Sequence, residues 1–296
     1  MRNNMAYDSF GNTAKRGFMG LPVAIRTIIA INAIMFLVQI IFASLTGTSL
    51  TIYLSFIPDL WTAITQPWRI VTYMFLHSLS NPFHFIFNML WLWWMGRPVE
   101  ERIGPRSFLT VYFGAGFAGA FIDIIVSIAG NPVPVIGASG AVYGIMVAFA
   151  MLFPRTPIML IFLPPIEARY VVSGLIALDV LFLNSGDNVA RFVHLGGALG
   201  GYMLMRAHAN GTDLSLIPRY FEYLYMKFKP KNTSSSSSST SKKPKNKKMS
   251  IVSDAEIIEE VEQSELDEIL EKISKSGYDS LSKEEKRKLF ELSKKN

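Results

Sequence analysis

The chain reads as an all-α, polytopic membrane bundle of six transmembrane helices followed by a small cytoplasmic helical tail. Three observations predict this class. Half of the 296 residues are hydrophobic, and they concentrate before about residue 207. Charge-free or nearly charge-free apolar segments recur at lengths suited to a hydrocarbon core of ~30 Å. Basic residues gather on alternate connecting segments, as the positive-inside rule requires of a multi-pass protein. Cysteine is absent, so disulfides and thiolate metal sites are excluded. The first 20 residues hold no apolar stretch followed by a small-residue cleavage site, so the first span itself is expected to direct insertion.

Residues 27–45 form the first span, without a single charge. Residues 46–81 do not read as spanning, because Pro58, Asp59, Gln66, Pro67 and Arg69 interrupt them; their Trp, Tyr, Phe and Leu content suits a loop in the membrane interface. Asn81-Pro82 opens a second helix over 82–96, with proline at the first helical position. A third covers 105–129 and stops at Gly130-Asn131-Pro132. The fourth starts at Gly137-Ala138-Ser139-Gly140 and ends at Pro154. At ~1.5 Å per residue it covers only ~22 Å, so its N-terminus is expected to lie sunk below one surface, with loop 131–136 dipping beside it. Irregular backbone at that depth is tolerated only against a protected or water-filled cavity, which places Ser139 on a cavity floor. The fifth and sixth helices are expected over 170–183 and 191–206, after the break at Pro164-Pro165.

Arg2, Lys15, Arg16 and Arg26 precede the first span; Arg97, Arg102 and Arg106 follow the second; Arg155 and Arg169 separate the fourth and fifth. Both termini are therefore expected in the cytoplasm and the cavity is expected to open outward. Residues 208–249 read as a basic Ser/Lys-rich linker suited to an anionic membrane surface. Residues 250–296 carry capping-box patterns at Ser253 and Ser282 and a helical apolar repeat including Ile257, Val261 and Ile269. The expected domains are thus 1–20, a core over 21–207, the linker, and a small cytoplasmic module whose apolar stripe could meet a protein partner or the module itself.

Three groups of residues carry chemistry. Ser139 stands between glycines at the start of a buried helix, where first-turn amides point at a developing oxyanion and no bulky neighbour blocks a carbonyl. Gly140 and Gly144 also fit a plain helix-packing motif, so this feature alone is weak. His194 is an ionisable group inside a span, a functional signal by default. Gly197 and Gly201 share its face and would let the sixth helix approach the glycine face of the fourth, bringing imidazole to hydroxyl as general base to nucleophile. Tyr143, one turn after Ser139, could stack on the imidazole or pack at the interface. His84 and Asn88 share a face at i, i+4 and could donate to an oxyanion. Metal ligation at His84 has no second ligand at suitable spacing. His77 and His208 read as structural or interfacial.

Taken together, His84-x-x-x-Asn88, Gly137-Ala-Ser139-Gly140 and His194-x-x-Gly197-x-x-x-Gly201 resemble the rhomboid family of intramembrane serine proteases. Trp68-Arg69 looks like that family's Trp-Arg motif, and Glu100 with Arg102 like its polar pair after the second helix. The resemblance covers roughly residues 20–207. It implies Ser139 as nucleophile, His194 as base, and His84, Asn88 and the Ser139 amide as oxyanion donors, with Gly137, Gly140, Tyr143, Gly197 and Gly201 supporting. It assigns no acid to the site, so Asp123 and Asp179 are expected to satisfy polar neighbours instead. The implied activity is a serine endopeptidase that cleaves transmembrane segments of other membrane proteins, without metal or cofactor and without nucleic acid, in contact with the lipid bilayer of a bacterial inner membrane. The competing classes are a transporter whose broken fourth helix holds an anion, and a non-catalytic membrane chaperone on the same scaffold.

Overall fold

The structure is a computed structural model that describes residues 17–128, 130, 132–159, 164–183, 190–228 and 282. The chain divides into two units, Met1–Pro230 and Lys231–Asn296. The expected linker beyond residue 228 and the C-terminal module lie outside the described residues, apart from Ser282, as does most of the N-terminal segment.

The described chain is predominantly helical. Helix α1 spans Val23–Thr46 and ends on Gly47, whose φ of 67° gives the left-handed turn that receives the last helical carbonyls. Pro22 precedes it and offers no side-chain cap. The cap comes from elsewhere: the buried Glu100 carboxylate accepts the amides of Ala24 and Ile25, both at 2.8 Å. Glu100 thus serves the start of the first span, while Arg102, the expected other half of a polar pair, is exposed.

The segment after α1 folds into short helices α2 (Thr51–Leu54), α3 (Leu60–Thr65) and α4 (Arg69–Thr72) and a 3-10 turn, Tyr73–Phe75. Asp59 caps α3 by accepting from the Thr62 amide at 2.8 Å. Arg69 is buried and ties the segment together, donating to the carbonyls of Ser55 and Ile52, both at 2.8 Å, and to the Gln66 amide oxygen at 2.6 Å. Trp61 and Trp68 are exposed, as suits aromatic rings facing a membrane interface. Gln39, buried on α1, grips the backbone of His77 in both directions, at 2.9 and 3.0 Å.

Helix α5 runs over Pro82–Ser127 and breaks at Gly104, where φ 79° and ψ 160° are non-helical. Its two limbs are the expected second and third helices, but the first continues past Gly96 to the break. Pro98 does not end it, and only glycine takes the backbone reversal at 104 without strain. Helix α6 covers Ser139–Leu152, followed by a two-stranded ribbon of β1 (Pro157–Ile158) and β2 (Ile166–Glu167), then α7 (Ala168–Leu181) and α8 (Arg191–Ala209). Helix α9, Leu216–Phe228, is tethered by Arg106 to Glu222 at 2.9 Å.

α5, α6 and α8 form the centre, and glycine lets their backbones touch. On α8, Gly197 and Gly201 meet Gly140 and Gly144 of α6, while Gly196 and Gly200 meet Gly119 and Ala118 of α5. A Cβ at Gly201 would stand 2.5 Å from the Gly144 Cα, and one at Gly196 would stand 2.8 Å from the Gly119 Cα. The second pair extends the single glycine seam expected from sequence to two seams on adjacent faces of one helix. α1 and α5 are long and apolar enough to cross a membrane, and α6 is a shorter apolar helix.

Candidate active site

Ser139 is the first residue of α6, and the loop before it is held in place by three backbone bonds. Phe56 and Val135 exchange hydrogen bonds at 3.0 and 2.7 Å, and the Gly137 amide donates to the Tyr73 carbonyl at 2.9 Å. Tyr73 is itself anchored through its hydroxyl, which donates to the Gly116 carbonyl at 2.8 Å. The segment of short helices after α1 therefore satisfies polar groups that the irregular loop would otherwise leave unpaired. The helical ladder of α6 begins with Val142 donating to Ala138, so the amides of Ser139, Gly140 and Ala141 precede it.

The glycine seam between α6 and α8 sets Ser139 against His194: Oγ to Nε2 is 2.8 Å. The Tyr143 ring stacks on the imidazole with centroids 4.6 Å apart and planes 13° from parallel. On the other side of the ring, Asp179 near the end of α7 places Oδ2 3.0 Å from Nδ1. Asp179, to which the resemblance assigns no role, thus meets a polar neighbour, and that neighbour is the imidazole. Asp179 also has its Oδ1 3.7 Å from Arg191 Nε. The signal in the sequence was a lone carboxylate inside an apolar helix, which fixes no partner until the rotation and depth of that helix are known.

His84 stands across from Ser139. A Cβ at Gly137, whose φ is 129°, would lie 2.7 Å from His84 Nε2 and 3.5 Å from Ser139 Oγ, so both groups border the space above this glycine. The Ser78 amide reaches His84 Nδ1 with a long bond of 3.5 Å. Nδ1 as acceptor leaves the proton on Nε2, the nitrogen facing that space. Asn88 is buried one turn on and donates one N–H to the His84 carbonyl at 2.7 Å, keeping a second N–H.

These groups line a cavity of about 1000 Å³, bordered by Ser139, His194, His84, Asn88, Tyr143 and Asp123. Asp123 is buried and its Oδ2 has no hydrogen-bond partner among the described residues. His77 is fully buried among Phe36, Phe85 and His84, and His208 sits near the other end of α8; neither hydrogen-bonds to the Ser139 and His194 pair.

The model of the Rhomboid domain matches residues 65–209, and that of a family of unknown function (DUF6576) matches 260–295, inside the expected C-terminal module. The chain is similar to "Rhomboid protease GluP" of Bacillus subtilis, 31% identical over 188 residues, covering 64% of this chain and 35% of the relative. It is also similar to "Rhomboid-like protease 3" of Toxoplasma gondii, 29% identical over 163 residues, 54% of this chain and 58% of the relative. A third is the mitochondrial "Presenilin-associated rhomboid-like protein" of Homo sapiens, 32% identical over 126 residues, 40% of this chain and 32% of the relative. The chain therefore spans between about a third and under three-fifths of the length of these relatives. With the Rhomboid domain covering α5 to α8 and the Ser139 and His194 groups, the chain is an integral membrane protein of the rhomboid family.

Proposed function

We propose that the protein is an intramembrane serine endopeptidase that cleaves transmembrane segments of other membrane proteins. The observation that carries this reading is the 2.8 Å contact between Ser139 Oγ and His194 Nε2 inside a cavity large enough for an extended peptide segment. In the proposed reaction His194 takes the proton as Ser139 Oγ attacks the scissile carbonyl carbon. The oxyanion is met by His84 Nε2–H, the remaining Asn88 N–H and the Ser139 amide. As the C–N bond breaks, the imidazolium passes its proton to the leaving amine, and water then hydrolyses the acyl-serine with His194 again as base. Gly137 and Gly140 keep the approach to Ser139 open, and Gly197 and Gly201 hold α8 against α6.

The same reading assigns six spans to α1, the two limbs of α5, α6, α7 and α8, with both termini in the cytoplasm of a bacterial cell. The Arg97, Arg102 and Arg106 cluster around the Gly104 reversal, together with Arg155 beyond α6, supports that orientation. The domain plan of 1–20, 21–207, 208–249 and 250–296 belongs to this proposal, except that α9, inside the segment expected as linker, is a helix tethered to the core, so the linker starts after residue 228. A transporter or a chaperone on this scaffold has no use for a serine hydroxyl bonded to an imidazole, and neither is favoured.

The test is release of a fragment from a reporter carrying a tagged spanning helix. The wild-type chain is expected to cleave it and Ser139→Ala is expected to leave it intact. Equal cleavage by both would remove the protease reading.

A further inference from the structure

One carboxylate in the site takes no part in the chemistry proposed above. Asp179 approaches the imidazole from the side opposite the serine, and three distances define a continuous line: Ser139 Oγ to His194 Nε2 at 2.8 Å, His194 Nδ1 to Asp179 Oδ2 at 3.0 Å, and Asp179 Oδ1 to Arg191 Nε at 3.7 Å. The side chains of His194 and Asp179 are each 12% exposed, so bulk water does not compete freely for Nδ1.

We propose that Asp179 is a positioning residue for His194, so that this chain works with a Ser139, His194 and Asp179 triad instead of a two-residue dyad. The inference rests on the protease reading of this site. A neutral imidazole carries one proton and can place it on either nitrogen. A carboxylate at Nδ1 holds the proton there, which leaves Nε2 with a lone pair directed at the serine hydroxyl, the tautomer a general base requires. Without the carboxylate, the Nε2–H tautomer is equally available and turns a donor toward Ser139. The carboxylate also stabilises the imidazolium formed during attack. Tyr143 clamps the ring plane by stacking, and Asp179 fixes rotation within that plane, so the two constrain different motions. The charged and titratable groups facing this pair are Tyr143 from α6, Arg191 from α8 itself and His84 from the first limb of α5. Asp123 lines the same cavity but makes no bond to His194, so it does not share the role.

The test uses the full chain in detergent micelles or liposomes with the tagged reporter helix. For Asp179→Asn, kcat is expected to fall by ~10- to 1,000-fold, less than the ~10⁴ loss known for a fully buried triad aspartate, with KM little changed. The acid limb of the pH–rate profile is expected to move to lower pH, because a charge that favours the imidazolium has gone. Labelling of Ser139 by a fluorophosphonate probe is expected to slow in parallel, and Asp179→Glu is expected to restore part of kcat and the original acid limb. A residue that merely packs α7 against α8 would change the folded fraction without moving the pH profile of the folded molecules. A second measurement needs no variant: nitrogen-15 spectra of the histidine-labelled wild-type chain are expected to show His194 protonated at Nδ1. Asp179→Asn with kcat within about twofold of wild type and an unmoved acid limb, or His194 protonated at Nε2, would overturn the inference. If Ser139→Ala is silent while Asp179→Asn is normal, only the role of Asp179 fails; if Ser139→Ala still cleaves, the protease reading itself fails.

Discussion

Adding one methyl group at Gly197 should disable the site without touching any group that reacts. A Cβ there would overlap the Gly140 carbonyl oxygen and stand 2.6 Å from its carbon and 2.9 Å from the Gly140 Cα. Ordinary carbon contacts begin at ~3.5 Å, so α8 must retreat from α6 by at least roughly 0.9 Å to clear the carbon, and further to clear the oxygen. Both sides of the clash are backbone, and no rotamer change relieves it. Gly140 follows Ser139 directly and Gly197 is three residues after His194, so the retreat acts close to the reacting pair. Added to the 2.8 Å separation of Oγ and Nε2, it gives at least ~3.7 Å, beyond the limit of a hydrogen bond. Misplacement on the order of 1 Å costs ~10²-fold in rate, and overpacking of this kind costs ~1–3 kcal/mol of stability. The assay is turnover of the reporter helix by Gly197→Ala, normalised to folded protein, beside Gly174→Ala on α7. A Cβ at Gly174 meets nothing within 4 Å, so that control is expected to behave as wild type. If folded Gly197→Ala matched Gly174→Ala in kcat, the glycine seam would not be what sets the distance between serine and histidine.

Two further outcomes follow from features outside the site. Glu100→Ala leaves the buried amides of Ala24 and Ile25 without an acceptor and should destabilise the chain by about 2–4 kcal/mol, seen as a lower thermal midpoint, with Glu100→Gln in between; an unchanged midpoint would mean α1 is capped in another way. On α9, hydrogen bonds from Arg106 hold the Glu222 carboxyl below the ordinary carboxylate range. A lowered folded value means the tether contributes above that ordinary range and is lost as pH falls through the lowered value. The protection factors of the α9 amides, taken against the intrinsic exchange rate at each pH, should therefore fall on acidification through the lowered value and in high salt, and both dependences should disappear in Glu222→Gln. Protection that ignored pH and salt in the wild type would show that α9 does not depend on this pair.

Much was legible along the chain because hydropathy and spacing are local quantities. The charge-free run that became α1, the proline start at Pro82, and a fourth helix too short to cross could each be read from a few neighbouring residues, as could the recurrence of Gly197 and Gly201 on the face of His194. These place a hydroxyl and an imidazole on helices able to approach closely. What only the tertiary structure decided concerns groups whose partners come from another helix. Asp179 and Glu100 each looked like a polar residue near an apolar segment. One turned out to face His194 Nδ1, and the other to cap α1 from about 75 residues away. Likewise, the second helix was expected to end at Gly96, yet α5 runs on through Pro98 to Gly104, since packing against α1 and α6 outweighs one missing backbone bond. The pattern along a helix fixes which residues share its face. The rotation and depth at which that face meets its neighbours follow from the packing of all the helices at once, and these decide which atoms come within hydrogen-bond reach.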